Sequence, residues 1–388
     1  MMDTKKVYLD YAATTPVDPQ VMEAMQPYFS QVFGNTSSVH EFGQQAEAAL
    51  ETAREAVAEQ LNCRADEIIF TSCGSESDNL ALRGAALAAR QQRGANHILT
   101  ARVEHHAVSH TAQQLADLFG FELEWLPVDE HGMVHPQEVA ERLRPETALV
   151  SVMYANNEVG TINPIHEIGA ICRAAGVPFH SDAVQGAAHL PVDVQALNVD
   201  LLSIGAHKFY GPKGSGALFV RKGTPLVPTQ TGGGQEYGLR AGTHNTPYIV
   251  GLAEAFRLAQ GSRPERAEQL CALRDHLIGR VLEEVPQARL TGHPSQRLPN
   301  HASFVFQGVD GNSLLMLLDV EGFACSSGSA CKTGSPEPSE VLTAMGIPRE
   351  WALGSLRVTL GSHTTPQEVD SFLDVLPGVV PRVRGLSG

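Results

Sequence analysis

Hydrophobic positions along the chain alternate between two spacings, which predict helices and short buried strands in turn. Residues 44–61, QQAEAALETAREAVAEQL, place apolar positions near helical spacing among strong helix formers. EIIFTS at 67–72 is a short β-rich run, and a glycine turn joins it to a helix that opens with Ser75, Glu76 and Asp78. This pattern predicts a strand, a tight turn and a helix in succession.

The same alternation continues through the middle of the chain. Strands are predicted at 97–100, 148–153, 177–183, 199–205 and 216–220. Helices are predicted near 105–118 and 165–175. Such alternation favours an α/β fold with a mostly parallel sheet, helices on both faces and ligand contacts at the carboxyl ends of the strands.

After about residue 256 the pattern changes and indicates a second, smaller α+β domain. A long helix is predicted over 252–284, short strands near 301–306 and 355–360, and helices at 312–319 and 365–375. A chain of 388 residues is long for one ordinary domain. We therefore expect a large domain over 16–256 and a small domain made of 1–15 and 257–388.

Composition excludes several classes of function. With 43% hydrophobic and 18% charged residues, the chain is typical of a soluble globular protein. Its 28 basic and 43 acidic residues give a net charge of −15, which repels nucleic acid. No apolar run of about 18 residues predicts a membrane span. Six cysteines without a C-x-x-C pair do not form a disulfide framework, so we expect a cytoplasmic protein.

Four features at predicted strand ends could carry chemistry. The turn SCGSES at 72–77 could hold a phosphate through backbone N–H groups, the Ser75 hydroxyl and a helix N-terminus, although such turns are also ordinary caps. Asp182 ends a buried strand, which is also a common capping position. Lys208 closes another strand, where partial desolvation would make it an imine-forming amine. His105 begins a helix and could equally be structural.

Together these four features fit one ligand. It would carry a phosphate, an aldehyde that Lys208 can capture, a ring nitrogen that Asp182 can pair and an aromatic face that His105 can cover. Pyridoxal 5'-phosphate has all four, and a lysine Schiff base with an aspartate partner to the ring nitrogen is its usual environment. The sequence therefore predicts a pyridoxal-phosphate enzyme.

Ordered motifs across nearly the whole chain then carry a family resemblance. They include YLDYAATTPVDP, FGNTSSVHEFG, FTSCGSESDN, VEHHAV, NNEVGTINPI, SDAVQG, AHKFYGPKGSGAL, LRAGT, CSSGSACKTGSPEPSEVL and GSLRVTLG. The chain resembles cysteine desulfurases, in the NifS-like branch of the class V pyridoxal-phosphate-dependent aminotransferases. The resemblance implies a type I fold, with a large domain around a mainly parallel seven-stranded sheet, a smaller domain holding both termini, and a homodimer.

The resemblance also implies roles for individual residues. Lys208 would bind the cofactor covalently and move the substrate α-proton, and Arg357 would clamp the substrate carboxylate, with Asn35 a weaker candidate for that task. Asn156 would lie beside cofactor and substrate, and Thr243 would reach the phosphate of the partner subunit's cofactor. Gly74, Ser75 and His207 would contact the cofactor phosphate. Gln185 would bind the ring hydroxyl, Asp182 would pair with the ring nitrogen, and His105 would stack on the ring and assist proton transfers.

Three positions depart from the family pattern. A serine usually precedes the lysine by three residues and touches the phosphate, but Gly205 stands there, with Ser203 two residues earlier. Ser75 replaces a common threonine, and the pattern does not require Cys325. The first two changes bear on the strength of cofactor binding.

Two cysteines occur in the Ser-, Gly- and Pro-rich run FACSSGSACKTGSPEPSE at 323–340, within a loop expected over about 322–340. Cys331 matches the family nucleophile in SSGSAC and has Lys332 beside it to favour the thiolate. Cys325 directly follows the apolar VEGFA and is expected to be anchored at a strand end.

The resemblance implies a cysteine desulfurase that converts L-cysteine to L-alanine and leaves a persulfide on Cys331 for an acceptor such as an iron–sulfur scaffold. Two alternatives stay open from sequence. One is a lyase of the same superfamily that acts on selenocysteine or cysteine sulfinate. The other is a non-enzymatic relay in which Cys325 and Cys331 ligate a metal, although C-x5-C without a nearby histidine is not a recognised metal site.

Overall fold

The computed structural model describes residues 6–328 and 337–386, and within them the chain forms an α/β fold. Its strands are β1 Val7–Tyr8, β2 Ile68–Thr71, β3 His97–Ala101, β4 Glu122–Leu126, β5 Thr147–Ser151, β6 Phe179–Asp182, β7 Leu201–Gly205, β8 Gly216–Val220, β9 Gly234–Gln235, β10 Arg240–Ala241, β11 Ala288–Leu290, β12 His301–Phe306, β13 Phe323–Ala324 and β14 Ser355–Thr359.

The helices lie between these strands and after them. They are α1 Pro19–Met25, α2 Glu41–Leu61, α3 Gly74–Arg93, α4 His106–Phe119, α5 Pro136–Arg142, α6 Ile165–Ala175, α7 Gly186–His189, α8 Thr246–Gly261, α9 Arg263–Glu284, α10 Gly311–Val320, α11 Glu340–Ala344, α12 Arg349–Ala352 and α13 Pro366–Leu386. Short 3₁₀ turns occur at Gln26–Phe29, Ala65–Glu67, Ala206–Lys208 and Glu236–Gly238.

The largest sheet in the described residues has seven strands in the order β2-β8-β7-β6-β5-β3-β4. β8 pairs antiparallel with both β2 and β7, and the remaining pairs are parallel. The prediction of a mainly parallel sheet is therefore confirmed. Because the parallel strands share one direction, the carboxyl ends of β6 and β7 open onto the same edge.

Both faces of this sheet are covered by helices. Along β2, Ile68 and Phe70 belong to one buried cluster while Ile69 belongs to another, as the period of two along a strand requires. The strands β3, β5, β6, β7 and β8 are buried along their whole length. A continuous apolar run is what a sheet covered on both faces needs, which is why these strands were predictable.

A separate buried cluster joins the two ends of the chain. It contains Val7 and Leu9 together with apolar residues between Leu270 and Val383, and it packs around the antiparallel sheet β11-β12-β14. This cluster supports the expected two-domain division, whose boundaries remain a prediction.

The long helix predicted over 252–284 is wrong, because the chain forms two helices there. α8 ends at Gly261, Ser262 has φ −93° and ψ 0°, and α9 begins at Arg263. Pro264 explains the break, since a proline inside a continuous helix lacks an N–H and clashes with the carbonyl one turn earlier. The buried side chains of α8 pack in the cluster that contains Ile68 and Phe70 of the large sheet. Those of α9 pack in the cluster that contains Val7 and Leu9, called here the small-domain cluster.

None of the helices in the described part of the chain has the length and apolar character needed to cross a membrane.

Candidate active site

A cavity of about 230 Å³ lies at the carboxyl edge of the large sheet. Eight of the residues predicted for the site line it: Gly74, Ser75, His105, Asp182, Gln185, His207, Lys208 and Arg357. These residues come from strand ends, helix starts and the small-domain strand β14, so only the folded chain brings them together.

Lys208 reaches this cavity from the 3₁₀ turn that follows β7. Its Nζ donates to the backbone carbonyls of Ala12 and Ala13, each at 2.7 Å. Burial lowers the pKa of Lys208 to about 8, with Arg357 lowering it further and Asp182 opposing. About a tenth of the amine is therefore neutral at pH 7, far more than for a lysine in water, which favours imine formation.

Asp182 ends β6 and is buried at the floor of the cavity. One carboxylate oxygen, Oδ1, accepts from the backbone N–H of Val184 at 2.8 Å. Burial raises the pKa of Asp182 to about 7, and the neighbouring Asp78 raises it as well. A cation held against this carboxylate would stabilise its charged form, so the site suits a protonated ring nitrogen.

His105 caps the N-terminus of α4 and faces the same cavity. Its Nδ1 accepts from the backbone N–H of Ala107 at 3.1 Å, which fixes the ring and leaves Nε2 free of that bond. Burial lowers the pKa of His105, although Asp182 opposes the shift. The imidazole is therefore neutral near pH 7, in the form that can stack on a ring and accept a proton.

Two buried polar residues behind Asp182 were not predicted from sequence. Asp78 is only 1% exposed, its Oδ1 has no hydrogen-bond partner in the described structure, and burial raises its pKa to about 7. His180 contacts Ser151 through Nδ1 at 2.8 Å and Ser203 through Nε2 at 3.0 Å. Asp78 was identifiable, because it follows Gly74 by about one helical turn and so shares its face.

The N-terminus of α3 forms the candidate phosphate cradle. Gly74 is the first residue of this helix, and a Cβ there would lie 2.5 Å from Val184 Cγ2, so the close approach requires glycine. The first N–H groups of a helix have no partner within it and attract anions. His207 lines the cavity nearby, with Nδ1 3.2 Å from the Thr14 hydroxyl.

Gly205 lies against this cradle in ordinary extended backbone, with φ −136° and ψ 121°. A Cβ at this position would contact Gly74 N at 3.5 Å, which is a normal van der Waals distance. Ser203 does not replace the missing hydroxyl from this strand, because its Oγ is engaged with His180.

Arg357 enters from β14 and has two of its five N–H groups bonded. Nη2 donates to Asp10 Oδ1 at 2.8 Å and Nη1 donates to the carbonyl of Asn157 at 3.0 Å. The remaining N–H groups can serve a carboxylate ligand. Opposite Arg357, Gln185 donates from Nε2 to the Ala12 carbonyl at 2.9 Å, which holds the same N-terminal segment that Lys208 contacts.

Asn156, which is predicted to lie beside the cofactor and substrate, is fully buried, and its place beside a ligand remains a prediction. Its Nδ2 donates to the Val103 carbonyl at 2.8 Å, and its Oδ1 accepts from the N–H groups of Glu158 and Val159 at 2.8 and 2.9 Å. Asn156 therefore holds its own turn together, while the adjacent Asn157 lines the cavity.

Thr243 and Asn35 are exposed and line no part of this cavity. They are nevertheless near one another, because Thr36 Oγ1 lies 2.8 Å from His244 Nδ1. Asn35 and Thr243 thus lie away from the cavity and share one surface of the chain.

Cys331 and Lys332 lie outside the described residues. Cys325 directly follows β13, as expected for an anchored residue, and burial raises the pKa of its thiol. This shift disfavours the thiolate, which is the nucleophilic form of cysteine.

The residues present fit pyridoxal phosphate. The cavity combines a partly neutral lysine, a buried carboxylate at its floor, a neutral histidine and a helix N-terminus. Asp78 Oδ1 lies 3.5 Å from His180 Nε2 and adds a second buried carboxylate beside Asp182.

Comparison with known proteins shows the family of the chain. The family model "Aminotransferase class-V" matches residues 7–372. A cysteine desulfurase IscS of Methanosarcina thermophila is 48% identical over 385 residues, covering 99% of this chain and 94% of that protein. A cysteine desulfurase IscS of Dictyoglomus turgidum is 48% identical over 383 residues, with 99% and 96% coverage.

Solved structures are similar as well. A NifS-like protein superposes with a TM-score of 0.90 at 37% identity, and the match covers 97% of this chain and 100% of that protein. A structure described as SspA in complex with cysteine superposes with a TM-score of 0.80 at 36% identity, with 93% and 100% coverage.

Proposed function

The chain belongs to the class V aminotransferase family, and from that premise we propose that it is a cysteine desulfurase dependent on pyridoxal phosphate. The observation that carries the proposal is the meeting of Lys208, Asp182, Arg357 and the N-terminus of α3 in one cavity. The similarity to cysteine desulfurases over nearly the whole chain favours L-cysteine as the substrate. The non-enzymatic metal relay is therefore set aside.

The reaction balances without an external oxidant. The C–S bond of L-cysteine breaks, a new S–S bond forms to an enzyme thiol, and the former thiol-bearing carbon takes up a proton. L-Cysteine and one enzyme thiol thus become L-alanine and one enzyme persulfide. Cys331 is the proposed acceptor, and the raised pKa of Cys325 argues against that residue as the nucleophile.

The cofactor would be held by residues of known position. Lys208 would bind it covalently, Asp182 would pair with its ring nitrogen, and Gln185 would bind its ring hydroxyl. Its phosphate would contact Gly74, Ser75 and His207. When bound, pyridoxal phosphate supplies a ring that accepts electrons from the substrate α-carbon.

The chain's own groups then bind substrate and move protons. The Arg357 guanidinium would bind the substrate carboxylate with the N–H groups that Asp10 and Asn157 leave unused. Lys208 Nζ, with its lowered pKa, would carry the α-proton, and His105 Nε2 would assist the proton transfers from the same cavity.

The surface of residues 22–42 supports a homodimer. Five large apolar side chains are exposed there: Met22 at 52%, Phe29 at 55%, Phe33 at 65%, Val39 at 90% and Phe42 at 55%. An exposed apolar patch of this kind usually marks a protein interface. Asn35 and Thr243 lie on the same side of the chain, so a second copy bound there could place Thr243 in the partner's site, as the resemblance implies.

The acceptor of the persulfide is proposed to be a protein such as an iron–sulfur scaffold, and the compartment the cytoplasm. Free cysteines at five described positions are compatible with a reducing compartment. Incubation of the purified protein with L-cysteine and a thiol reductant should release L-alanine and sulfide in equal amounts. Alanine without sulfide, or neither product, would contradict the proposal.

A further inference from the structure

Glu158 touches the chain on both sides of residues 329–336. The described chain stops at Gly328 and resumes at Glu337. Beyond that gap, the Ser339 hydroxyl donates to the Glu158 carboxylate. Before it, Gly328 packs so closely that a Cβ there would lie 2.4 Å from Glu158 Oε2 and 3.2 Å from Ser339 Cβ. One carboxylate thus meets both ends of this segment.

Glu158 is itself held in place next to the active site. Its N–H donates to Asn156 Oδ1 at 2.8 Å, and the preceding carbonyl, that of Asn157, accepts from Arg357 Nη1 at 3.0 Å. Burial raises the pKa of Glu158, while the bond from Ser339 and the charge of Arg357 oppose the shift. The same turn therefore contacts the proposed carboxylate clamp and the ends of the segment.

The two ends of the segment line a second cavity. It has a volume of about 640 Å³ and is lined by Glu158, Gly328 and Ser339. His105 and Asn157 line both this cavity and the active-site cavity, so the two adjoin. The ends of the segment therefore border a space next to the proposed cofactor site.

We propose that Glu158 is a positioning residue for sulfur transfer, which fixes both ends of the cysteine-bearing segment at the rim of the active site. This role rests on the proposed desulfurase function. Cys331 follows Gly328 by three residues in the sequence, so the contact at Gly328 fixes the point from which that part of the chain starts. Glu158 makes and breaks no bond in the reaction.

The test is a single-turnover measurement on the holoenzyme. Glu158→Ala should slow persulfide formation by roughly ten- to a hundred-fold, because misplaced reacting groups cost about that much. The change of the visible cofactor spectrum on mixing with L-cysteine should keep its amplitude. The L-cysteine concentration that gives half of this amplitude should stay within about twofold, because substrate binding does not involve Glu158.

Two further variants separate positioning from general damage. Glu158→Gln retains an oxygen that accepts from Ser339, so it should recover most of the transfer rate. Gly328→Ala should reproduce the slow transfer, since its Cβ would displace the carboxylate. Glu321→Ala, which removes a small-domain acid paired with Arg382, is the control and should transfer at the wild-type rate.

Wild-type transfer rates in both Glu158→Ala and Gly328→Ala would overturn the inference. Loss of the spectral change in Glu158→Ala would overturn it too, because Glu158 would then serve substrate binding. A wild-type protein that binds the cofactor but makes no alanine would instead refute the proposed function, on which this inference depends.

Discussion

Among single residues of the candidate site, burial shifts the pKa values of one lysine and one aspartate. Lys208 is an amine whose pKa burial lowers to about 8, and Asp182 is a carboxylate whose pKa burial raises to about 7. Both shifts favour the neutral form without a ligand. A ligand that bonds to the amine and brings a positive ring nitrogen satisfies both groups at once.

Covalent loading of the apoenzyme should therefore depend on pH through Lys208. The neutral amine is the nucleophile, so the rate of loading should rise with pH and level off above about 8. Borohydride reduction followed by peptide mapping should place the pyridoxyl label on Lys208, and Lys208→Ala should take up no covalent label. A label on Lys213 would show that the lysine has been wrongly assigned.

Gly205 gives a second prediction at this scale. Because its backbone is extended and a Cβ fits, Gly205→Ser should add a hydroxyl to the phosphate cradle without strain. One charge-assisted hydrogen bond contributes roughly 1.5–3 kcal/mol, so cofactor loss on dialysis should be clearly slower. Gly205→Ala is the matched control, since it adds the same Cβ without the hydroxyl. Equal retention by the two variants would contradict the account.

The sequence could predict residues whose position follows from one element, but it could not give the hydrogen bonds of residues within a turn. Asp182 and Lys208 end apolar strands, so their place at the sheet edge was predictable. Asn156 and Asn157 are neighbours in one turn, and only the folded backbone shows which side chain bonds internally and which lines the cavity.

At the scale of elements, buried strands were predicted well and boundaries set by tertiary contacts were not. β4 was missed because Glu122 and Glu124 interrupt its apolar pattern at the sheet edge. α13 continues through Pro377 and Pro381 to Leu386, well past the predicted end at 375. Its buried face packs in the small-domain cluster, and that packing outweighs the local cost of the prolines.

The hairpin β9–β10 precedes Thr243 in the chain, and the buried carboxylate of Glu236 holds it in place. Glu236 accepts from both terminal nitrogens of Arg54, at 2.7 and 2.9 Å, and from the N–H of Phe70 at 2.8 Å. Its backbone has φ 48°, a strained value for a residue with a side chain. Burial would raise the pKa of Glu236, but His244 and Arg54 lower it to about 2.

Glu236→Ala should lower the free energy of unfolding by roughly 3–5 kcal/mol, since it leaves the Arg54 charge buried without its partner. Because the folded pKa is depressed, this contribution is present above about pH 4.5 and is lost as pH falls toward 2. Urea titrations at pH 7 and 3 should show the mutational cost shrinking at the lower pH. Glu51→Ala, which removes the half-exposed partner of the same arginine, should cost less than about 1 kcal/mol.

At the scale of the whole molecule, one chain holds a nearly complete site and exposes the residues that a second copy would use. The apolar surface at 22–42 and the exposed Thr243 lie away from the chain's own cavity. Lys208 contacts the backbone carbonyls of Ala12 and Ala13. The same N-terminal segment packs in the small-domain cluster through Val7 and Leu9. The site therefore needs both domains and, by our proposal, both subunits.

Phe33→Asp should convert the proposed dimer to a monomer and weaken cofactor retention, because Thr243 would no longer reach the phosphate of the cofactor in the partner subunit. Light scattering coupled to size-exclusion chromatography measures the first effect. Leu118→Asp, at a side chain 71% exposed on α4, introduces the same charge on another surface and should remain dimeric. A Phe33→Asp protein that stays dimeric would place the interface elsewhere.

The proposed movement of sulfur from L-cysteine to Cys331 can be observed by trapping the persulfide on the enzyme. Wild type, Cys331→Ser and Cys325→Ser would each be mixed with one equivalent of L-cysteine, alkylated and mapped by mass spectrometry while alanine is counted. We predict a persulfide on Cys331 in wild type and in Cys325→Ser, with alanine formed in both, whereas Cys331→Ser keeps the visible cofactor band but yields neither product. A persulfide on Cys325 together with an active Cys331→Ser protein would contradict the account.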